Sequence, residues 1–134
     1  MTTAAVGRHS ELIAICALLA NGYSVWEPAV PESADLAITR FGDKTMVRIQ
    51  VKTLLYREDK GGPYYVLKAK KNNGKVYTKD DCGVFIGVVG NDAYMVENEG
   101  DQGEYWCKPE ELETKWTRLT TRLEHTQANE SEAV

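Results

Sequence analysis

Residues 46–53, Met-Val-Arg-Ile-Gln-Val-Lys-Thr, alternate strictly between apolar and polar positions. Val47, Ile49 and Val51 fall on one side, and Met46, Arg48, Gln50 and Lys52 fall on the other. A period of two belongs to a strand with one buried face. The polar side is the unusual one. It sets a carboxamide, Gln50, roughly 7 Å along the strand from an ammonium, Lys52, in a valine and isoleucine context that would normally be core. Upstream, Ser33-Ala34-Asp35-Leu36-Ala37-Ile38 forms a second apolar strand carrying a single acid, Asp35. The turn signal Phe41-Gly42-Asp43-Lys44 joins strands expected over Asp35 to Thr39 and Thr45 to Leu55. Asp35, Gln50 and Lys52 are thereby expected at one end of a hairpin.

The segments around this hairpin read in order. Val6 to Ala20 has a helical pattern with apolar residues on nearly every side (Leu12, Ile13, Ile15, Cys16, Leu18, Leu19), so it packs on a sheet. Asn21-Gly22 ends it. Glu11 shares a face with Ile15 and Leu18. An acid on a buried face needs a partner, and a metal or Lys52 would serve; an acid early in a helix is also favoured by the helix dipole. Tyr23 to Glu27 is a first strand, broken by Pro28 and Pro31. Tyr56 to Gly62 is a charged loop, Tyr64 to Lys70 a strand with Lys68 and Lys70 on one face, and Lys71-Asn72-Asn73-Gly74-Lys75 a turn. Val84 to Val89 is a continuous apolar run, as for a strand buried on both faces. Ala93 to Val96 and Tyr105 to Cys107 are further strands. Pro109 starts a second helix with Leu112, Trp116 and Leu119 at helical spacing, a core stripe. From Glu124 to Val134 no periodicity remains, so residues 1–123 are expected as one domain and 124–134 as a disordered tail.

At 134 residues and 43% hydrophobic the chain has the material for one core. No run of roughly 18 apolar residues marks a membrane span, and Met1-Thr2-Thr3-Ala4-Ala5-Val6 has no basic start of a signal peptide. Cys16, Cys82 and Cys107 are odd in number and far apart, with no CxxC and two histidines. That argues against structural zinc and for reduced thiols in a cytoplasmic protein. Neither histidine has the neighbours of a nucleophilic triad. Net charge is −4, yet the six lysines between Lys60 and Lys79 meet no acid, whereas Asp80 to the end carries 13 acids against four bases. A basic patch on an acidic body suits phosphate contact; it is also what an ordinary solvated lysine hairpin looks like.

The order of acid, hairpin and Gln-x-Lys resembles the PD-(D/E)xK nuclease superfamily. Gly7-Arg8-His9-Ser10-Glu11 looks like its Gly-x-x-x-Glu helix, and Asn21-Gly22-Tyr23-Ser24-Val25 its helix-ending Gly-aromatic-x-Val. Pro31 to Ile38 is similar to its acid strand, and Arg48-Ile49-Gln50-Val51-Lys52 to its signature strand. The Gln variant, with Tyr77 to Val89, most resembles the small endonucleases associated with group I introns. The likeness spans roughly residues 7 to 97. It implies an α/β (α+β) restriction-endonuclease-like core, a central mixed sheet flanked by helices. It implies a metal-dependent DNA endonuclease using Mg²⁺, with Mn²⁺ as substitute. Asp35 would be the main metal carboxylate. Gln50 would give a neutral carbonyl oxygen where most of the superfamily has an acid, the backbone carbonyl of Val51 would complete the set, and Glu11 would hold a metal water or second ion. Lys52 would orient the attacking water and stabilise charge on the phosphoryl group. DNA contacts are expected from Arg8, His9, Arg48, Lys68, Lys70, Lys71, Asn72, Asn73 and Lys75. Two departures stand out: Gln50 removes one negative charge, and Ala34 rather than Pro precedes Asp35.

Three functions follow. A site-specific homing-type endonuclease would read a long duplex as an oligomer, and a Holliday junction resolvase would read branch shape as a dimer. A module of the same fold would bind DNA through the Lys60 to Lys79 face without cutting. Cutting two strands calls for two sites, hence a homodimer or a tetramer built from dimers, with Val84 to Val89 or the Trp116 helix as the contact surface.

Overall fold

The computed structural model describes residues 1–40, 43–59 and 61–123. The turn residues Phe41 and Gly42, Lys60 and the tail from Glu124 lie outside the described residues, as does the side chain of Arg40.

Helix α1 spans Thr3–Ala20 and is capped by Thr2, whose side chain accepts from Ala5 N. It starts three residues before the apolar pattern does, because the cap rather than the periodicity sets the boundary. Strands β1 (Tyr23–Trp26), β2 (Leu36–Arg40), β3 (Val47–Thr53), β6 (Val84–Val89), β7 (Asp92–Glu97) and β9 (Thr117–Leu119) form a mixed six-stranded sheet in the order β1-β2-β3-β6-β7-β9. Only the β3–β6 pair is parallel. Strands β4 (Leu55–Asp59), β5 (Gly62–Lys68) and β8 (Glu104–Cys107) make a second, antiparallel sheet in the order β4-β5-β8. Between β3 and β4 the chain passes from the large sheet to the small one through a single residue, Leu54, whose N–H donates to Val88 O at 2.8 Å.

Each face of the large sheet has its own core. On one, Ala14, Ala17 and Leu18 of α1 cover Ile49, Val51, Ile86 and Val88. On the other, Phe85, Tyr94 and Val96 meet Leu67, Tyr105 and Cys107 of the small sheet. Strand β6 therefore is buried on both faces, as its continuous apolar run requires. The alternation of β3 sends Ile49 and Val51 to the helix side and Gln50 and Lys52 to the other. Gly87 stands beside Lys52 in the ladder, and a Cβ there would lie 2.7 Å from Leu54. The missing side chain is what lets the crossing residue pack between the sheets. By length and composition α1 could cross a membrane. Its fully buried Ala14, Ala17 and Leu18 show that much of this apolar content serves the first core.

Four expectations change. The charged loop after Tyr56 is strand β4, whose exposed residues show no alternation because it lies at the edge of the small sheet. The fourth strand begins earlier, at Gly62, to match it. The helix after Pro109 is one 3₁₀ turn (Pro109–Glu111) and one α turn, α2 (Leu112–Lys115). At Trp116 the backbone turns extended (φ −112°, ψ 161°), and Leu119 sits in β9, which pairs with β7. Trp116 and Leu119 are core residues as expected, but of two different cores. Finally, Val84 to Val89 lies inside the sheet and offers no face to a second copy, and Trp116 is buried, although the turns before it, Pro109 to Lys115, hold no buried residue.

Candidate active site

The hairpin places its acid by continuing the strand ladder with a side chain. The last registered pair of β2 and β3 is Leu36 with Ile49. One residue earlier Asp35 N donates to Ile49 O at 2.9 Å, and Asp35 Oδ2 accepts from Val51 N at 2.9 Å. In a strand the N–H and C=O of one residue point to the same edge. The Val51 carbonyl therefore faces the Asp35 edge, just past the point where backbone pairing stops. Burial pushes the Asp35 carboxyl above the usual range, against the pull of the Val51 N–H; Glu11 adds to the rise and Lys52 opposes it. Burial likewise pushes the Lys52 ammonium below the usual lysine range, countered by Asp35 and Cys82.

Glu11 is carried in by α1, which is tied to the end of β3 by a 2.6 Å hydrogen bond between Ser10 Oγ and Thr53 Oγ1. The Glu11 carboxylate pairs with Arg8 at 3.2 Å, and Arg8 also reaches Glu27 at 3.3 Å. Arg8 is thus spent on two carboxylates and holds Glu11 in place; its guanidinium is pushed further above its usual range by those hydrogen bonds. His9 is exposed. Two residues at 100° each put it almost opposite Glu11 on the helix, so it is not brought to the site.

Beside Gln50 an open cleft of about 370 Å³ is walled by Glu32 and Ser33 on one side and Lys71, Asn72, Asn73 and Tyr77 on the other. The Lys71–Lys75 turn closes through Lys71 N to Lys75 O (2.8 Å), with Gly74 at φ 83° and Asn73 Oδ1 accepting from Lys75 N. Lys71 is half-buried on Asp81 at 2.7 Å, while Asn72, Asn73 and Lys75 are exposed. The Lys71 contact holds Asp81 below the usual carboxylate range. Arg48 is exposed on the Gln50–Lys52 side of β3, next to Trp26 and Met46 in a hollow of about 230 Å³. Lys68 and Lys70 are exposed on the small-sheet side, Lys68 paired across from Glu104; they do not line the cleft.

Two residues that the sequence reading left out shape this site. Tyr77 is 8% exposed, and its ring lies 4.9 Å from Lys52 Nζ. Asn98, 2% exposed, donates from Nδ2 toward the carbonyls of Tyr77 (3.0 Å), Thr78 (3.2 Å) and Cys82 (2.9 Å). Its Oδ1 accepts from Gly100 N at 2.9 Å and Tyr105 Oη at 3.1 Å. Only the position of Asn98 after the β7 run could have hinted at a turn role; its partners lie up to 21 residues away.

The sequence matches the family model described as PD-(D/E)XK endonuclease over residues 1–131. The chain belongs to the PD-(D/E)XK endonuclease family. Among solved structures it is similar to the bacterial homing endonuclease I-Ssp6803I, with a TM-score of 0.61 at 20% identity over 79% of this chain and 75% of that one. At that identity the likeness shows a shared fold. No curated protein matches the sequence.

Endonucleases of this family typically use divalent metals. The donors here fit a hard cation: one carboxylate, one carboxamide and one peptide carbonyl, all oxygen. Asp35 is disfavoured as a lone anion and feels Glu11 as a like charge, and an arriving cation relieves both. Among the described residues no three His, Cys, Asp or Glu side chains gather. An ion at this place would have one or two acids and neutral oxygens to hold it.

Proposed function

We propose that this chain is a Mg²⁺-dependent DNA endonuclease that cuts a specific duplex site, in the manner of a homing enzyme. The observation that carries the reading is the Asp35–Val51 hydrogen bond. It brings an acid, a carboxamide, a peptide carbonyl and a lysine to one end of one strand pair. Asp35, Gln50 and the Val51 carbonyl would hold the ion, and Glu11 one of its waters. The bound ion would neutralise charge building on the phosphoryl oxygens and lower the pKa of a coordinated water. Lys52 orients the attacking water and donates to the phosphoryl oxygen that gains charge. Arg8 keeps Glu11 turned toward this end of the helix. Asn72, Asn73 and Lys75 stand at an exposed hairpin tip beside the cleft, where Lys meets phosphate and Asn meets base edges.

The Gln-x-Lys strand and the fold shared with a homing endonuclease favour a duplex target over a branched one. A duplex cut on both strands requires two sites, so the working form is a dimer or a tetramer built from two dimers. The test is cleavage with Mg²⁺ of a four-way junction and of a mixed plasmid library, by wild type and Lys52→Ala. Discrete cuts at one duplex site, lost in the variant, are expected. Paired nicks in the junction alone identify a resolvase. DNA bound but uncut by both proteins sinks the catalytic reading and leaves a binding module.

A further inference from the structure

Lys52 is half-buried, yet among the described residues its ammonium has no hydrogen bond and no ion pair within 4.0 Å. A buried cation is normally paired. What lies against it is the Tyr77 ring, 4.9 Å from Nζ to the ring centroid, inside the range of a cation–π contact. That ring is fixed from behind. The Tyr77 carbonyl accepts from Asn98, its N–H donates to Ala69 O at 3.2 Å, and its ring stands edge-on to Phe85 at 5.7 Å and 84°. The second ammonium near the ring, Lys71 at 6.0 Å, is already tied to Asp81 at 2.7 Å. The ring therefore has one unassigned cation to hold.

We propose that Tyr77 is a positioning residue for Lys52: its ring face holds the ammonium beside the Asp35 edge without an ion pair. The choice of a ring has a chemical reason. A carboxylate would take up N–H donors of the ammonium, whereas a π face attracts the charge and leaves all three N–H groups for water and phosphoryl oxygen. The negative charge of Asp35 attracts the ammonium, and the ring lies against it at 4.9 Å. This rests on the nuclease reading of the same site. The hydroxyl of Tyr77 has no part in it.

The test uses the full chain and a plasmid carrying a cut site selected with wild type. Tyr77→Phe keeps the ring and is expected to keep kcat within about twofold. Pentafluorophenylalanine at position 77 keeps the shape and reverses the ring quadrupole. It is expected to lower kcat about tenfold with KM and Tm unchanged from the Phe variant. A Phe variant as slow as the fluorinated one would assign the role to the hydroxyl and overturn the proposal. So would a fluorinated variant as fast as Phe, since the ring would then only fill space. A readout independent of cleavage is the ring-current shift of the Lys52 ε protons, expected upfield in wild type and Tyr77→Phe and lost in Tyr77→Leu. Its absence in wild type overturns the proposal whatever the activity. Its presence in a protein that cuts no DNA overturns only the nuclease reading.

Discussion

Replacing Asn98 by alanine removes the clamp behind the cleft. The amide has two hydrogens, so two of the three nearby carbonyls are bonded at a time, and Oδ1 takes two more donors. Four bonds at about 1 kcal/mol net each give about 4 kcal/mol. Water regains some of these groups because Glu97 and Glu99 on either side are exposed, which lowers the expected loss to about 3 kcal/mol. For a chain of this size that is a fall in Tm of about 10 °C. Asn98→Asp keeps the acceptor but turns an oxygen toward carbonyls, and is expected to cost more than alanine at neutral pH. Urea unfolding followed by tryptophan fluorescence, with thermal melts by circular dichroism, measures both. A loss below about 1 kcal/mol for Asn98→Ala, or an aspartate variant as stable as the alanine one, would refute the clamp.

Three further outcomes follow from the site and its surroundings. Gln50→Glu restores a charged ligand, so the Mg²⁺ concentration for half-maximal cleavage should fall severalfold; an unchanged requirement would remove Gln50 from the ion. Cys16 is exposed, whereas Cys82 and Cys107 are buried, and burial pushes the Cys82 thiol up to about 11. A thiol with a raised pKa stays protonated and unreactive at neutral pH, so native protein should show one fast thiol toward an aromatic disulfide reagent and three after unfolding. A second fast thiol in the native chain would contradict the burial of both. Replacing Lys75, exposed at the hairpin tip, by alanine should reduce the slope of log K against log salt for DNA by about 1; an unaltered slope would take the hairpin away from the phosphates.

Strand β3 was legible because one of its faces is core: burial of Val47, Ile49 and Val51 leaves the alternation written in the residue types. The acid strand was legible for the same reason. Strand β4 was not, since both its faces are largely exposed and nothing constrains its residues to alternate. Trp116 and Leu119 are three apart, which satisfies a helix as readily as a bend followed by a strand, and the open edge of β7 decided the matter. Tyr77 stood out only as the first residue of the Tyr77 to Val89 stretch, with nothing to mark its contact to Lys52, and Asn98 carries no local signature. Their roles come from partners 25 and 21 residues away, Lys52 for the one and Tyr77 for the other, and such contacts exist only once both sheets are assembled.

The side-chain bond from Asp35 to Val51 makes the site the last tooth of a zipper. A slip of one residue between β2 and β3 would turn Gln50 and Lys52 into the helix core and Val51 outward. Fraying by a single pair would release the acid while leaving every core residue where it is. If the proposed site is the catalytic one, activity reads out strand register: a population can be compact, helical and cooperatively folded, and still be silent until that final hydrogen bond closes.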